Sequence, residues 1–372
     1  MDLYAPMLPL FLPLMIDEMG LSYFLAGLIV TAFNVVSSIT QPLVGLYGDK
    51  KGKHADIAFC VLLSAVGISF SVLSHNYLII IMLAMGAAIG HALFHPAAFD
   101  LVYRLSPPAK RGLYNSIFIT SGSLSYALGP FIAGLLIAFA GLPSVAWMVF
   151  PGLIGAAFIF GLNRRAKHEP DYTPKKEVRK NQHRNSFAAA LVIIVCSLRA
   201  MAYIGLITYL PTLLILGDAS ISTLAASAIV TIMLLFGVVG QMAGGYLSDL
   251  FGRKEMLFLG FLFAVPSYIV IFLTDGFLMY AGIMLFSFFA SFCYVTSVTM
   301  SQELLPNQVG FASGLIQGLC LGLGGLGAAL IGWIADSIGS LSAAMFLLAI
   351  PVILCPIITI FVKYPRHRKN AV

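Results

Sequence analysis

Charge in this chain is confined to the gaps between long apolar stretches, and few folds are compatible with that arrangement. In hydrocarbon every backbone N–H and C=O must be paired within the protein, so an apolar stretch of about 20 residues crosses a bilayer as a helix. Cutting the chain at its charged and turn-rich points predicts twelve spans, at roughly residues 3–16, 22–46, 57–73, 77–103, 113–139, 144–162, 187–216, 222–247, 256–273, 276–304, 311–334 and 342–362. Only 10% of the residues are charged, against about 25% in a soluble domain. The lipid bilayer is therefore an expected partner. The net charge of +6 comes mostly from short loops between spans, so nucleic acid is not.

Orientation follows from the bases. Of 21 Lys and Arg residues, 20 lie in or beside the even-numbered loops, a central linker or the C-terminal tail. The odd-numbered loops carry Asp17, Glu18, His75, Asp218, Asp275 and Asp336 and no base. Positive charge stays on the cytoplasmic side, which places the even loops and the C-terminus inside a prokaryotic cytoplasmic membrane. The linker at 163–185 holds eight bases and separates two six-helix halves, 1–162 and 186–363, with a tail at 364–372.

The first span has about 14 residues, or about 21 Å of helix, against a hydrocarbon core of about 30 Å. Asp2 lies 11 residues before Pro13, and Arg199 lies 12 before Pro211, well inside its own span. The expectation is that the sequence begins partway along the first helix. A short, tilted helix is the alternative.

A ten-residue signature occurs twice. Gly45-Leu46-Tyr47-Gly48-Asp49-Lys50-Lys51-Gly52-Lys53-His54 returns 200 residues later as Gly245-Tyr246-Leu247-Ser248-Asp249-Leu250-Phe251-Gly252-Arg253-Lys254. Gln41 and Gln241 keep the same offset. Each copy ends a long apolar segment, which points to two parallel repeats of a transporter. The five cysteines, Cys60, Cys196, Cys293, Cys320 and Cys355, all lie in apolar segments without a C-x-x-C pair, so neither a zinc site nor a disulfide framework is expected. Ser, His and Asp are not grouped as a triad, so the chain is not expected to be an enzyme and no cofactor is expected.

The twelve spans and the duplicated Gly-x-x-x-Asp-x-x-Gly-(Arg/Lys) signature resemble the major facilitator superfamily over the whole chain. Gly90-His91-Ala92-Leu93-Phe94-His95-Pro96 is similar to the Phe-His-Pro stretch of the fosmidomycin resistance proteins, with Ala97 where that subgroup usually has Glu. Gln41 to Tyr47, Ala127-Leu128-Gly129-Pro130 and Leu206 to Pro211 continue the likeness. The resemblance implies an all-α membrane protein that exports small, often anionic compounds against protons. It also implies that Asp49 holds an outward-facing state against the start of span 11. Sugar or organic-anion uptake by the same fold is the other reading, and a monomer is expected.

Arg199 is the one base outside the cytoplasmic regions, near the middle of its span. Placing arginine there costs at least about 2.5–3.5 kcal/mol on insertion scales. It must face a cavity or a partner, either a phosphonate or carboxylate substrate gripped by its planar fork, or a permanent ion pair such as one with Asp2. His91 and His95 share one face of span 4 and can carry protons or donate to an anion, or simply pack. Their spacing would allow a metal site, but no Cys, Asp or Glu is placed nearby as an obvious third ligand, so none is assigned. Asp2 is the acid expected deepest in the membrane, a proton-carrier candidate. Asn34, Asn115, Tyr203 and Gln317 are candidate cavity residues, or interhelical hydrogen bonders. Lys53 with Asp100, and Arg253 with Glu303, are expected to link neighbouring helices, so that Gly45, Asp49, Gly52, Gly245, Asp249 and Gly252 form paired conformational switches. Glycines in span 5 (Gly122, Gly129, Gly134) and span 11 (Gly318, Gly322, Gly324, Gly325, Gly327) mark close packing, and the Gly-Pro stretch in span 5 resembles an antiporter signature.

Overall fold

The computed structural model describes residues 1–51, 55–105, 111–166, 185–218, 220–305, 312 and 315–364. Within its helices, the side chains at 45–46, 48–51, 99–100, 103–105, 111–116, 162–166 and 317 lie outside the description. The described residues are helical, without a strand. In chain order the helices are α1 (Leu8–Met19), α2 (Tyr23–Lys51), α3 (Ile57–Ser71), α4 (Tyr77–Leu105), α5 (Arg111–Ala140), α6 (Val149–Ala166), α7 (Ser186–Gly217), α8 (Thr223–Phe251), α9 (Arg253–Leu273), α10 (Gly276–Leu304), α11 (Cys320–Ile338), α12 (Leu341–Phe346) and α13 (Ala349–Phe361). Short 3₁₀ stretches, Ala5–Met7 and Leu142–Met148, lead into α1 and α6, and a π-helical turn, Leu315–Leu319, leads into α11. The twelve-span, all-α reading therefore holds, with α12 and α13 together forming the last span.

Helix starts are set by short polar side chains that take up free N–H groups. Ser22, Asp56, Asn185, Ser222 and Ser340 each accept from the backbone N–H three residues on, at 3.1–3.3 Å. Two elements differ from the predicted spans. The helix α1 runs on through Asp17 and Glu18 and stops where Gly20 turns left-handed at φ 63. The last span breaks because Pro351 has no N–H to give the carbonyl of Leu347. Tight bonds from Leu347 N–H to Ala344 and from Leu348 N–H to Met345 fill the break.

Large apolar side chains are widely exposed, among them Phe139 at 85% and Phe277 at 83%. A surface of this kind is solvated by lipid tails. Among the described residues, ten helical segments are long and apolar enough to cross a membrane, and α3 is a shorter apolar helix.

The chain forms two compact units, Met1–Glu177 with Thr208–Thr231, and Val178–Ile207 with Ile232–Val372. The end of α7 and the start of α8 group with the first unit for visible reasons. Tyr209 Oη donates to the carbonyl of Tyr23 at 2.8 Å, and a Cβ at Gly134 on α5 would strike Ser227 on α8. The first unit is centred on Met7, Leu8, Phe11, Ile29, Ile68 and Ile80, all fully buried. Inside each unit, small residues let helices close on one another. Gly90 on α4 faces the carbonyl of Cys60 and the hydroxyl of Ser64 on α3, and Gly240 and Gly244 on α8 face the backbone of Phe288 and Phe292 on α10. The glycines of α5 and α11 serve different neighbours. Gly129 meets Leu3, whereas Gly324 and Gly327 meet Ala200, Met201 and Ile204 on α7.

Candidate functional site

The repeat is carried into the helices. In the second half of the chain α8 starts at Thr223, 200 residues after α2 at Tyr23, and α10 at Gly276, 199 residues after α4 at Tyr77. Each unit buries one cluster of charge on this scaffold.

In the first unit the cluster lies at the middle of α4. His91 and His95 sit one turn apart, and Asp2 comes against both, with Oδ1 3.6 Å from His91 Nε2 and 3.4 Å from His95 Nε2. The two Nε2 atoms are 3.4 Å apart. The turn from Met1 to Tyr4, with Tyr4 N–H bonded to the carbonyl of Met1 and Tyr4 Oη bonded to the carbonyl of Met148, carries the carboxylate there. Room is left by Gly122 on α5, where a Cβ would stand 2.6 Å from Asp2 Oδ2. On the far side of His91, Nδ1 is 3.2 Å from Ser37 Oγ, which also accepts from Gln41 Nε2 at 3.4 Å. The rings of Phe33 and Phe94 wall the pair. This corrects the expectation that no acid stands near the histidines: the third group comes from the far end of the chain, where linear spacing gives no hint of it.

The second cluster surrounds Arg199, which is 8% exposed near the middle of α7. Its Nη1 donates to the carbonyl of Ala290 at 3.5 Å, a long contact, and Nε is buried with no hydrogen-bond partner. The guanidinium lies over two rings, 5.5 Å from the Tyr203 centroid and 4.9 Å from that of Tyr294. Each such contact is worth about 0.5–2 kcal/mol. Tyr203 Oη is 3.3 Å from Ser287 Oγ and accepts from Ser291 Oγ at 3.4 Å. Among the described residues of its own unit, no carboxylate pairs with Arg199. Aromatic faces soften its charge without cancelling it, which leaves a cation equipped for an anion.

A third cluster closes the turn between α8 and α9, a turn made of Gly252 alone at φ 101. Arg253 donates from Nε to both oxygens of Glu303, at 2.9 and 3.0 Å, and its Nη2 is 2.8 Å from Oε1. Its Nη1 meets Asp249 at 2.8 Å, one turn back. Tyr364 Oη also donates to Glu303. Asp249 is 63% exposed, so the network contributes about 0–1 kcal/mol per pair. Gly245 lies one turn before Asp249, open enough for a Cβ.

Asn34 is buried on α2, one turn before Ser37. Gly52 and Lys53 lie outside the described residues. Gly45 and Asp49 in α2, Asp100 in α4, Asn115 in α5 and Gln317 in the π turn belong to described helices, but their side chains lie outside the description. The sequence reading passed over Ser37, Tyr294, Ser287 and Ser291. Ser37 had a signal, standing four residues before Gln41, and Tyr294 had one in its position 199 residues after His95.

The sequence matches the Major Facilitator Superfamily over residues 3–325 and again over 214–372. It is 27% identical to the fosmidomycin resistance protein of Escherichia coli strain K12 over 362 residues, covering 96% of this chain and 88% of that one. It is 25% identical to the hexuronate transporter of Bacillus subtilis strain 168, covering 91% and 85%. Among solved structures, the fold is similar to a bacterial homologue of the human lysosomal transporter Spinster, with a TM-score of 0.79 at 17% identity, covering 97% of this chain and 93% of that one. A match of that extent over this helical fold makes the chain a multi-pass membrane protein of the Major Facilitator Superfamily.

Proposed function

We propose that this protein exports a small organic anion in exchange for protons, by alternating access, from a prokaryotic cell whose cytoplasmic membrane holds it with the C-terminus inside. The carrying observation is Arg199, buried at mid-helix with an unpartnered Nε and no carboxylate among the described residues of its unit. A buried cation of this kind is costly unless an anion visits it. Asp2 with His91 and His95 supplies the proton side, since a carboxylate and two imidazoles in contact can hold and pass protons among themselves. Drug export finds support in the similarity to a fosmidomycin resistance protein, fosmidomycin being a phosphonate. The salt bridges around Arg253 bias the exchange between inward- and outward-facing states.

The second reading is proton-coupled uptake of an organic acid or sugar, which the likeness to a hexuronate transporter favours. Proteoliposomes under an imposed pH gradient separate the two. Phosphonates, carboxylates and cationic dyes are offered in turn. Uphill movement of an anion opposite to protons supports export, and movement with protons supports uptake. Transport of cations or neutral compounds indifferent to Arg199→Ala overturns the anion reading.

A further inference from the structure

Three ligand atoms, His91 Nε2, His95 Nε2 and Asp2 Oδ1, form a nearly equilateral triangle with sides of 3.4, 3.4 and 3.6 Å. Those separations are long for hydrogen bonds, which cluster at about 2.7–3.2 Å. Asp2 Oδ1 is correspondingly buried with no hydrogen-bond partner. The three stand close enough together for each to offer one ligand atom to a shared ion.

The dimensions match a particular occupant. A four-coordinate zinc-like ion has metal–nitrogen and metal–oxygen distances of about 2.0–2.2 Å, and the tetrahedral angle then sets ligand atoms about 3.3–3.5 Å apart. Octahedral coordination at about 2.0–2.1 Å, as magnesium requires, would bring them to about 3.0 Å. Two imidazoles and one carboxylate also suit a borderline ion better than a hard one. The outer contacts agree. Ser37 Oγ lies 3.2 Å from His91 Nδ1, and the tautomer with its proton on Nδ1 donates to that hydroxyl and leaves the Nε2 lone pair free for an ion. Gln41 donates to the same hydroxyl and fixes it. Gly122 keeps the carboxylate from being pushed aside.

We propose that Asp2, His91 and His95 form a binding site for a divalent transition-metal ion of the zinc, cobalt and nickel class, with three protein ligands and one open position. An ion held there takes the lone pairs that the coupling proton uses, so it arrests transport. That consequence rests on the proton role given to Asp2 above, whereas the site itself does not.

The test uses the full chain, purified in detergent with any affinity tag removed, and Co(II) as the probe. Four-coordinate Co(II) gives intense visible ligand-field bands. The expected result is one equivalent of Co(II) bound with those bands, displaced by one equivalent of Zn(II). Binding weakens at least tenfold in His91→Gln, His95→Gln and Asp2→Asn, about tenfold in Ser37→Ala, and stays as in the parent in Arg199→Ala, which lies in the other unit. Absent bands in the parent chain, or parent-like binding in the ligand variants, would overturn the site. If one histidine variant fails to yield folded protein, the other and Asp2→Asn decide the matter. Saturating Co(II) that binds with the expected bands but leaves pH-driven transport intact would keep the site and overturn the proton role of Asp2.

Discussion

The two units place opposite chemistry on the same scaffold. The middle of α4 presents His91 and His95, and the matching turn of α10 presents Ala290 and Tyr294, 199 residues on. Against that turn the first unit packs an acid, Asp2, and the second packs a base, Arg199. The third wall differs in the same sense. Ser37 on α2 bonds His91, while its counterpart on α8 is Gly237, where a Cβ would crowd Tyr203, Ser287 and Ser291. The matching regions of the two halves therefore carry opposite charge. A carboxylate with two imidazoles can gain or lose a proton, whereas a guanidinium keeps its charge. The function proposed above divides accordingly, with protons assigned to the first cluster and the anion to the second.

The comparison breaks most visibly at Arg199. Arg199→Ala should lower transport at least about tenfold while membrane yield stays normal, since a hydrogen bond to a charged group is worth about 1.5–3 kcal/mol. Arg199→Lys keeps the charge without the planar fork and should fall between the two in a dose–response with a phosphonate. Full activity in Arg199→Ala would make the arginine structural. Asp2→Asn should abolish accumulation driven by a pH gradient yet leave substrate exchange at zero gradient within a few fold. A subtler probe is Gly122→Ala, whose methyl group meets Asp2 Oδ2 and moves it. Gradient-driven flux should drop several fold with exchange unchanged, and an unchanged gradient response would show that the carboxylate position is immaterial. The smallest effects belong to the turn between α8 and α9. Arg253→Gln or Glu303→Gln should alter turnover by no more than a few fold, because exposed pairs are weak, with substrate affinity nearly constant. Asp49→Asn, at the matching position of the first signature in the sequence, should likewise slow cycling with affinity held within a few fold. A large loss of affinity in any of these variants would contradict a role confined to switching.

Most of the helices could be read from the sequence because their cause is local. Uncharged stretches of bilayer length have no alternative in lipid, and Ser22, Asp56, Ser222 and Ser340 mark their starts in the sequence itself. The break in the last span was also written there, in Pro351, but apolar length outweighed it in the reading. Arg199, His91 and His95 could be singled out because ionisable groups are rare in apolar helices. Their partners could not, since Asp2 reaches α4 through a turn at the start of the chain and Tyr294 is an ordinary aromatic until the repeat is overlaid. Ser37 shows the limit most clearly. Asn34 stands out on α2 in the sequence, yet the hydroxyl that meets His91 belongs to Ser37, one turn on, and the neighbouring Ser38 Oγ is buried without a hydrogen bond.

The division of labour is tested most directly by measuring exchange and gradient-driven transport of one anion side by side in Asp2→Asn and Arg199→Ala proteoliposomes. The account predicts that Asp2→Asn keeps exchange and loses the response to pH, and that Arg199→Ala loses both. Equal loss of both activities in Asp2→Asn, or retained exchange in Arg199→Ala, would contradict it.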